Sequence, residues 1–147
     1  MPQQTNTQTN EKVPTNYTLC IKRDCPKAET CLHHVATQMM PAEVMKWSIL
    51  SPAYLAQTEG ECPHYRSAEK VRYARGFVRM MSALTVKQAH VVKDSIVATF
   101  GMNMYYRMRR GERLITPTEQ EAIYQMLEQQ GITTRPEFDA YIEDYLW

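Results

Sequence analysis

Apolar residues recur at helical spacing along most of the chain, and no segment alternates between apolar and polar residues over the length of a strand. This pattern predicts helices over about 26–40, 42–50, 63–83 and 86–100, then one from Thr116 to about 130 and one from Thr134 onward. The predicted fold class is therefore mainly α, a small helical domain with a Cys-rich N-terminal segment.

Two of these helices carry clear start signals. Thr85 with Gln88, and Thr116 with Glu119, have the spacing of a capping box, in which each side chain bonds the other residue's backbone N–H. Gly101 and Gly131 follow the two helices as stop signals. In the first of them, four apolar residues are expected to face inward: Ala89, Val92, Ile96 and Phe100.

The predicted helix over 63–83 has an apolar stripe and a basic one. Val71, Ala74, Val78 and Met81 form the first. Arg72, Arg75 and Arg79 fall within about 60° of each other outside that stripe, at the helical rotation per residue. They are candidates for contact with nucleic acid, and the alternative is an ordinary solvated helix face.

Length and composition favour one domain in the cytoplasm. A chain of 147 residues can bury a core without disulfide support. The polar residues 1–16 are expected to form a disordered tail without a secretory signal, and no apolar run approaches the roughly 18 residues of a membrane helix. We expect residues 17–147 to form one domain with a Cys-rich part (20–65), a basic part (66–113) and an acidic part (114–147).

Charge is strongly segregated along the chain. Residues 66–113 hold 11 Lys/Arg against 3 Asp/Glu, and residues 114–147 hold 1 against 7. Such segregation favours a polyanion-binding face, with DNA or RNA as the partner. The alternative is a protein-interaction or structural module in which the basic and acidic segments pair within or between subunits.

The four cysteines favour a metal site. Their spacing is Cys20-x4-Cys25-x5-Cys31, followed by Cys62. Because the cytosol keeps thiols reduced, a disulfide framework is disfavoured, and four soft ligands suit tetrahedral Zn²⁺. Zinc is our first hypothesis for the cofactor. Buried structural thiols, an iron–sulfur cluster held by four thiolates and disulfides remain open alternatives.

Local sequence refines the metal hypothesis. Cys25 and Cys62 both precede proline, which suits the first helical turn, so each is expected at a helix N-terminus where the dipole favours a thiolate. His33, His34 and His64 are possible substitute ligands. A helical His33 or His34 is expected to point away from Cys31, which makes four thiolates the preferred ligand set.

A second candidate site lies in "FGMNMYYRMRRGERLITPTEQEAI", residues 100–123. Arginine forks pair with phosphates and tyrosines stack on bases. The stretch resembles the end of a repressor-type helix-turn-helix, whose second helix enters the major groove. The alternatives are a short β-hairpin near 105–115, or a loop docked on the acidic C-terminal helices. The candidate nucleic-acid-binding residues here are Asn103, Tyr105, Tyr106, Arg107, Arg109, Arg110 and Arg113.

The chain after residue 17 also resembles a family of small uncharacterised four-cysteine proteins from Bacteroides-type bacteria. The resemblance is carried by "C-x4-CP-x4-CLH", "CPHYR", "YYRMRRGER" and "FDAYIEDYLW". It implies a recurring four-cysteine helical domain and no particular chemistry. No nucleophile elbow, phosphate-binding glycine loop or H-E-x-x-H motif is present, so we expect a non-catalytic protein.

Overall fold

The computed structural model describes residues 12–147 and divides the chain into two compact units. The first unit holds the described residues up to Lys70 together with Asp144–Trp147, and the second unit holds Val71–Glu143. The predicted tail, residues 1–16, lies largely outside the described residues, so its disorder stays a prediction.

The first unit contains two short helices, α1 (Leu32–Met39) and α2 (Pro52–Gln57). A 3-10 turn, Ala28–Thr30, comes before α1. Extended segments connect these elements, and an isolated parallel bridge joins Leu19 to Ile49. The small core of this unit is formed by Val13, Leu19 and Ala36.

The remaining elements are two strands and four helices. In chain order they are β1 (Lys70–Arg75), α3 (Val78–Ser82), α4 (Val86–Phe100), α5 (Met102–Arg109), α6 (Pro117–Gln129) and β2 (Ala140–Tyr145). The strands pair in a two-stranded antiparallel sheet. Side chains from α3 to α6 fill the larger core, which includes Phe77, Met80, Ile96, Met108, Ile123, Leu127 and Phe138.

The two helices with capping signals are confirmed as α4 and α6. The Thr85 hydroxyl accepts the Gln88 N–H at 3.2 Å, and the Gln88 side chain accepts the Thr85 N–H at 3.0 Å. The same box forms before α6, whose first turn also has Pro117. Val92 and Ile96 are fully buried as predicted, and Ala89 and Phe100 pack against the core.

The helix predicted over 63–83 is wrong. Residues 70–75, "KVRYAR", form β1 because Val71 and Tyr73 alternate with exposed Lys70 and Arg72, which suits a strand. Gly76 then has a φ of +72°, which a continuous helix excludes. Only the short α3 remains of the prediction, so the three arginines of this segment do not share a helix face.

Three further differences make the fold mixed rather than mainly α. Residues 42–50 form no helix, since Ile49 bridges Leu19 instead. The helix predicted from Thr134 onward is wrong, because Ala140–Tyr145 is strand β2. The helix predicted over 26–40 is shortened to α1. The described residues contain six α-helices and one small sheet. No helix within residues 12–147 has the length and apolar character needed to span a membrane.

Candidate functional site

All four cysteines line one cavity in the first unit. The cavity has a volume of about 300 Å³, and we call it the four-cysteine cavity. Cys31 is buried, Cys20, Cys25 and Cys62 are partly exposed, and all four are free thiols. The four cysteines predicted as ligands therefore line the same cavity, and the zinc site predicted for them stays a prediction.

Backbone hydrogen bonds fix the segments that carry these cysteines. The Cys20 N–H donates to the His33 carbonyl at 2.9 Å. Cys31 forms an isolated antiparallel bridge with Ser67, beside a bond of 2.6 Å from the Leu32 N–H to the Arg66 carbonyl. The loop of Cys20 and the segment that follows Cys62 are therefore both tied to the start of α1.

The predicted helix N-termini are not where the prolines suggested. Cys25 lies in a turn before the short 3-10 segment, and Cys62 lies in a turn that precedes no helix. Cys31 instead occupies the N-cap of α1. The reason is that proline after cysteine is equally suited to an isolated turn, where its fixed φ is also favourable.

The cavity wall combines apolar side chains with two lysines. Pro26, Ala28, Leu50 and Leu55 contribute apolar surface, and Lys22, Lys27 and Glu61 are its charged members. Lys27 Nζ lies 3.3 Å from Glu61 Oε1 and 4.8 Å from the centre of the Tyr65 ring. The single carboxylate in the wall is thus paired with Lys27, and the three charged residues together carry one net positive charge.

The three candidate histidines behave differently. His34 lines the four-cysteine cavity, and its Nδ1 is buried without a hydrogen-bond partner among residues 12–147. His33 instead stacks on Tyr17 at 4.9 Å, with its Nδ1 2.6 Å from the Thr18 carbonyl oxygen. His64 packs against the Tyr54 ring and is exposed. Only His34 could therefore contribute to chemistry in the cavity.

The sulfurs border the cavity without closing on a common point. Within the described part of the chain, no group of three or more Cys, His, Asp or Glu side chains is arranged to hold a single metal ion. The structure therefore brings the predicted ligands to one cavity, but the described residues do not place three of them in an arrangement that would hold one ion.

The second candidate site, around α5, has one exposed polar face. Asn103, Arg107 and Arg110 are exposed, and their spacing of four and three residues places them on the same side of the helix. Tyr105 is only 3% exposed and belongs to the core. Tyr106 is partly buried, and its hydroxyl accepts a bond from Lys93 Nζ at 3.3 Å. The buried Tyr105 ring therefore offers no face for stacking on bases, and Lys93 Nζ lies 5.4 Å from the centre of the Tyr106 ring.

Several candidate arginines bind carboxylates within the second unit. Arg113 forms a double hydrogen bond with Glu119, at 2.8 and 2.9 Å. Burial would raise the pKa of Glu119, but the bonds from Arg113 and from Thr116 lower it overall. Arg79 lies 3.6 Å from Asp139. Arg110 binds Glu112 at 2.8 Å, and this hydrogen bond lowers the pKa of the exposed Glu112 carboxyl.

Two other candidate arginines contact an aromatic ring and a backbone carbonyl. The Arg72 guanidinium lies 3.7 Å from the centre of the Tyr141 ring. Arg75 Nε donates to the Gly111 carbonyl at 3.2 Å. The Arg72 and Arg75 side chains are thus held by the fold, which leaves fewer arginines for an external partner than the sequence suggested. Arg109 differs from them, because its Nε is buried and has no hydrogen-bond partner in the described structure.

The hairpin predicted near 105–115 is wrong. Residues Met102–Arg109 are helical, and Ile115 makes an isolated antiparallel bridge with Ala74 instead of pairing with the tyrosine segment. The predicted order of helix, glycine, short basic helix, glycine and further helix does occur, as α4, Gly101, α5, Gly111 and α6.

Comparison with known proteins gives a family for the whole chain. A family model described as a family of unknown function, DUF6078, matches residues 1–147. The chain belongs to DUF6078. The comparisons found no curated protein and no solved structure that matches it. The predicted membership of an uncharacterised family is confirmed, while the bacterial origin and the helix-turn-helix resemblance stay predictions.

One further residue of this DUF6078 cavity, His34, was given only second place by the sequence argument. We expected His34 to point away from Cys31 because both were placed inside one helix. Cys31 is in fact the N-cap of α1, and His34 is three residues later. Residues three apart on a helix surface are neighbours, so this spacing was the signal that could have identified His34.

Proposed function

We propose that the protein is a non-catalytic, metal-stabilised protein that binds nucleic acid. Its four thiols would bind zinc or an iron–sulfur cluster, and the exposed face of α5 would contact phosphates. The observation that carries the metal part is the placement of four free cysteines around one cavity. Thiolates at such a position are ligands for either cofactor.

Metal binding would stabilise the first unit by joining distant loops. Thirty residues lie between Cys62 and Cys31, the nearest other cysteine in sequence, so a shared ligand sphere constrains the chain between them. We expect protein purified under reducing conditions to contain zinc or iron by elemental analysis. Cys62→Ser should lower the metal content and the Tm of the loaded protein. The control is protein treated with a chelator, whose Tm should be nearly the same with and without the substitution.

Nucleic-acid binding would depend on two arginines of α5. We expect fluorescence anisotropy at about 50 mM salt to detect binding of duplex or single-stranded DNA or RNA. Added salt should weaken this binding, because binding releases counterions from the phosphates. The double variant Arg107→Ala/Arg110→Ala should abolish it with the helical circular dichroism unchanged. Lys46→Ala removes an exposed cation of the first unit and should have little effect. If none of these nucleic acids binds, the nucleic-acid proposal is wrong.

The second candidate function is a protein-interaction or structural module. It is favoured by Arg79 with Asp139 and Arg113 with Glu119, because both pairs join the basic segment to the acidic one. Absence of nucleic-acid binding combined with a normal metal content would favour this function.

A further inference from the structure

We infer that the cofactor of the four-cysteine cavity is a [4Fe–4S] cluster rather than a single zinc ion. This inference rests on the proposed metal site and names its occupant. It follows from three features of the cavity: the arrangement of its ligands, its size and the charge of its wall.

The arrangement of the ligands argues against a single ion. Zinc holds each thiolate sulfur at about 2.3 Å, which in a tetrahedron brings neighbouring sulfurs to about 3.8 Å from each other. No three potential ligands among residues 12–147 are arranged in that way. A cubane cluster binds each thiolate at a different iron atom, so its four sulfurs stay around the outside of the cluster. The cysteines here border a shared space, as a cluster requires.

Cavity size points in the same direction. The cavity measures about 300 Å³, whereas a single water molecule needs only about 10–15 Å³ on the same kind of measure. A zinc ion is smaller than a water molecule, so an ion alone would leave most of this space unfilled. A core of four irons and four sulfides is large enough to use it.

The wall suits a cluster of negative charge. Two ferrous and two ferric ions with four sulfides form a core of charge 2+, and four thiolates bring the total to 2−. Lys22 and Lys27 outnumber Glu61, which is paired with Lys27, so the wall has one net positive charge. Leu50 and Leu55 contribute apolar surface to the same wall.

His34 completes this arrangement as a hydrogen-bond donor. Four thiolates already supply one ligand to each iron, so no imidazole is required in the ligand set. His34 lines the cavity, so an N–H of its imidazole ring is the group that would donate to a sulfur of the cluster. Hydrogen bonds to the sulfurs are one of the means by which a protein sets the reduction potential of a cluster.

Anaerobic reconstitution tests the inference on the full chain. Equal amounts of ferrous and ferric salts are added with sulfide, so that assembly needs no electron transfer and releases one proton from each thiol. We expect four irons and four acid-labile sulfides per chain, with broad visible absorption that dithionite bleaches. Cys62→Ser should lose the cluster. His34→Ala should keep the full iron content and shift the reduction potential.

Parallel titration with Zn²⁺ alone separates the two proposals. Tight binding of one zinc per chain, with no cluster formed, would overturn the cluster and retain the metal site. Binding of neither zinc nor iron would overturn both. Two irons per chain would overturn the cubane form, and loss of iron from His34→Ala would overturn the ligand set of four thiolates.

Discussion

Replacement of Gly76 by alanine tests the packing where β1 leads into α3. Gly76 has a φ of +72°, and a Cβ atom there would lie 2.7 Å from Asp139 Oδ2 and 3.3 Å from the Arg109 carbonyl oxygen. The Asp139 carboxylate is held in place, because it accepts the Val78 N–H at 2.8 Å and the Arg79 N–H at 3.0 Å. These bonds satisfy the first N–H groups of α3.

The expected cost has two parts. A non-glycine residue with positive φ loses about 1–2 kcal/mol, and loss of a side chain that caps a helix N-terminus costs about 0.5–2 kcal/mol. Gly76→Ala should therefore lower the free energy of unfolding by about 1.5–4 kcal/mol, given both terms. Gly131 is the matched control, since its φ is +79° and nothing lies within 4 Å of an added Cβ. Gly131→Ala should cost only the backbone term.

Urea unfolding followed by circular dichroism measures both variants. A double-mutant cycle with Asp139→Ala then isolates the contact. In the Asp139→Ala background, Gly76→Ala should cost no more than Gly131→Ala does, because the carboxylate that it displaces is gone. Equal losses for the two glycine variants, or full additivity with Asp139→Ala, would show that the contact with Asp139 does not carry the effect.

Three further predictions concern the second unit. Burial would raise the pKa of Glu119, but the bond from Arg113 outweighs it, so the ionised carboxylate should stabilise the fold above about pH 4.5 and lose this effect as the pH falls through its lowered pKa. Glu119→Gln should make the urea midpoint depend less on pH in acid, and an unchanged pH dependence would contradict the role given to this carboxylate. Burial raises the pKa of Tyr124 to about 12, so ultraviolet titration should show a late tyrosine that is missing in Tyr124→Phe. Thr85→Ala should lower the unfolding free energy by about 1 kcal/mol through loss of the cap, while Thr99→Ala, at an exposed site of the same helix, should change it by less than about 0.5 kcal/mol.

The helices that sequence could predict are those with local signals. The capping boxes before α4 and α6 involve residues three apart, so the sequence itself contains both partners of each hydrogen bond. The same holds for Gly101, which ends α4 with a positive φ. Such helices are predictable because nothing distant in the chain is needed to define their ends.

The strands were not predictable for the opposite reason. β1 and β2 pair with each other although about 65 residues separate them, and neither satisfies its backbone hydrogen bonds alone. The apolar residues of β2, such as Tyr141 and Ile142, fit a helical stripe equally well in sequence. Periodicity over so short a segment therefore could not distinguish the two structures.

The sequence indicated that the four cysteines share a site, but it did not indicate how they are arranged. Free thiols in one part of the chain indicate a common site, and the structure places all four around one space. Spacing along the chain does not contain the distance between the sulfurs, which decides between one ion and a cluster. The position of His34 relative to Cys31 depends on where α1 begins, and helix ends are set by interactions that the apolar pattern does not encode.

The net positive charge of the basic segment, residues 66–113, overstates the number of arginines that a polyanion could contact. Arg79 and Arg113 are paired with carboxylates of the acidic segment, so contact with phosphates would first have to break those bonds. The exposed face of α5 contributes Arg107 and Arg110, and the second of these also binds Glu112. Since each neutralised phosphate contributes about −0.9 to the slope of log K against log salt concentration, two arginines correspond to a slope of about −2. A slope steeper than about −4 would require the paired arginines to exchange their carboxylates for phosphates, and the variant Arg113→Ala would then weaken binding as strongly as Arg107→Ala.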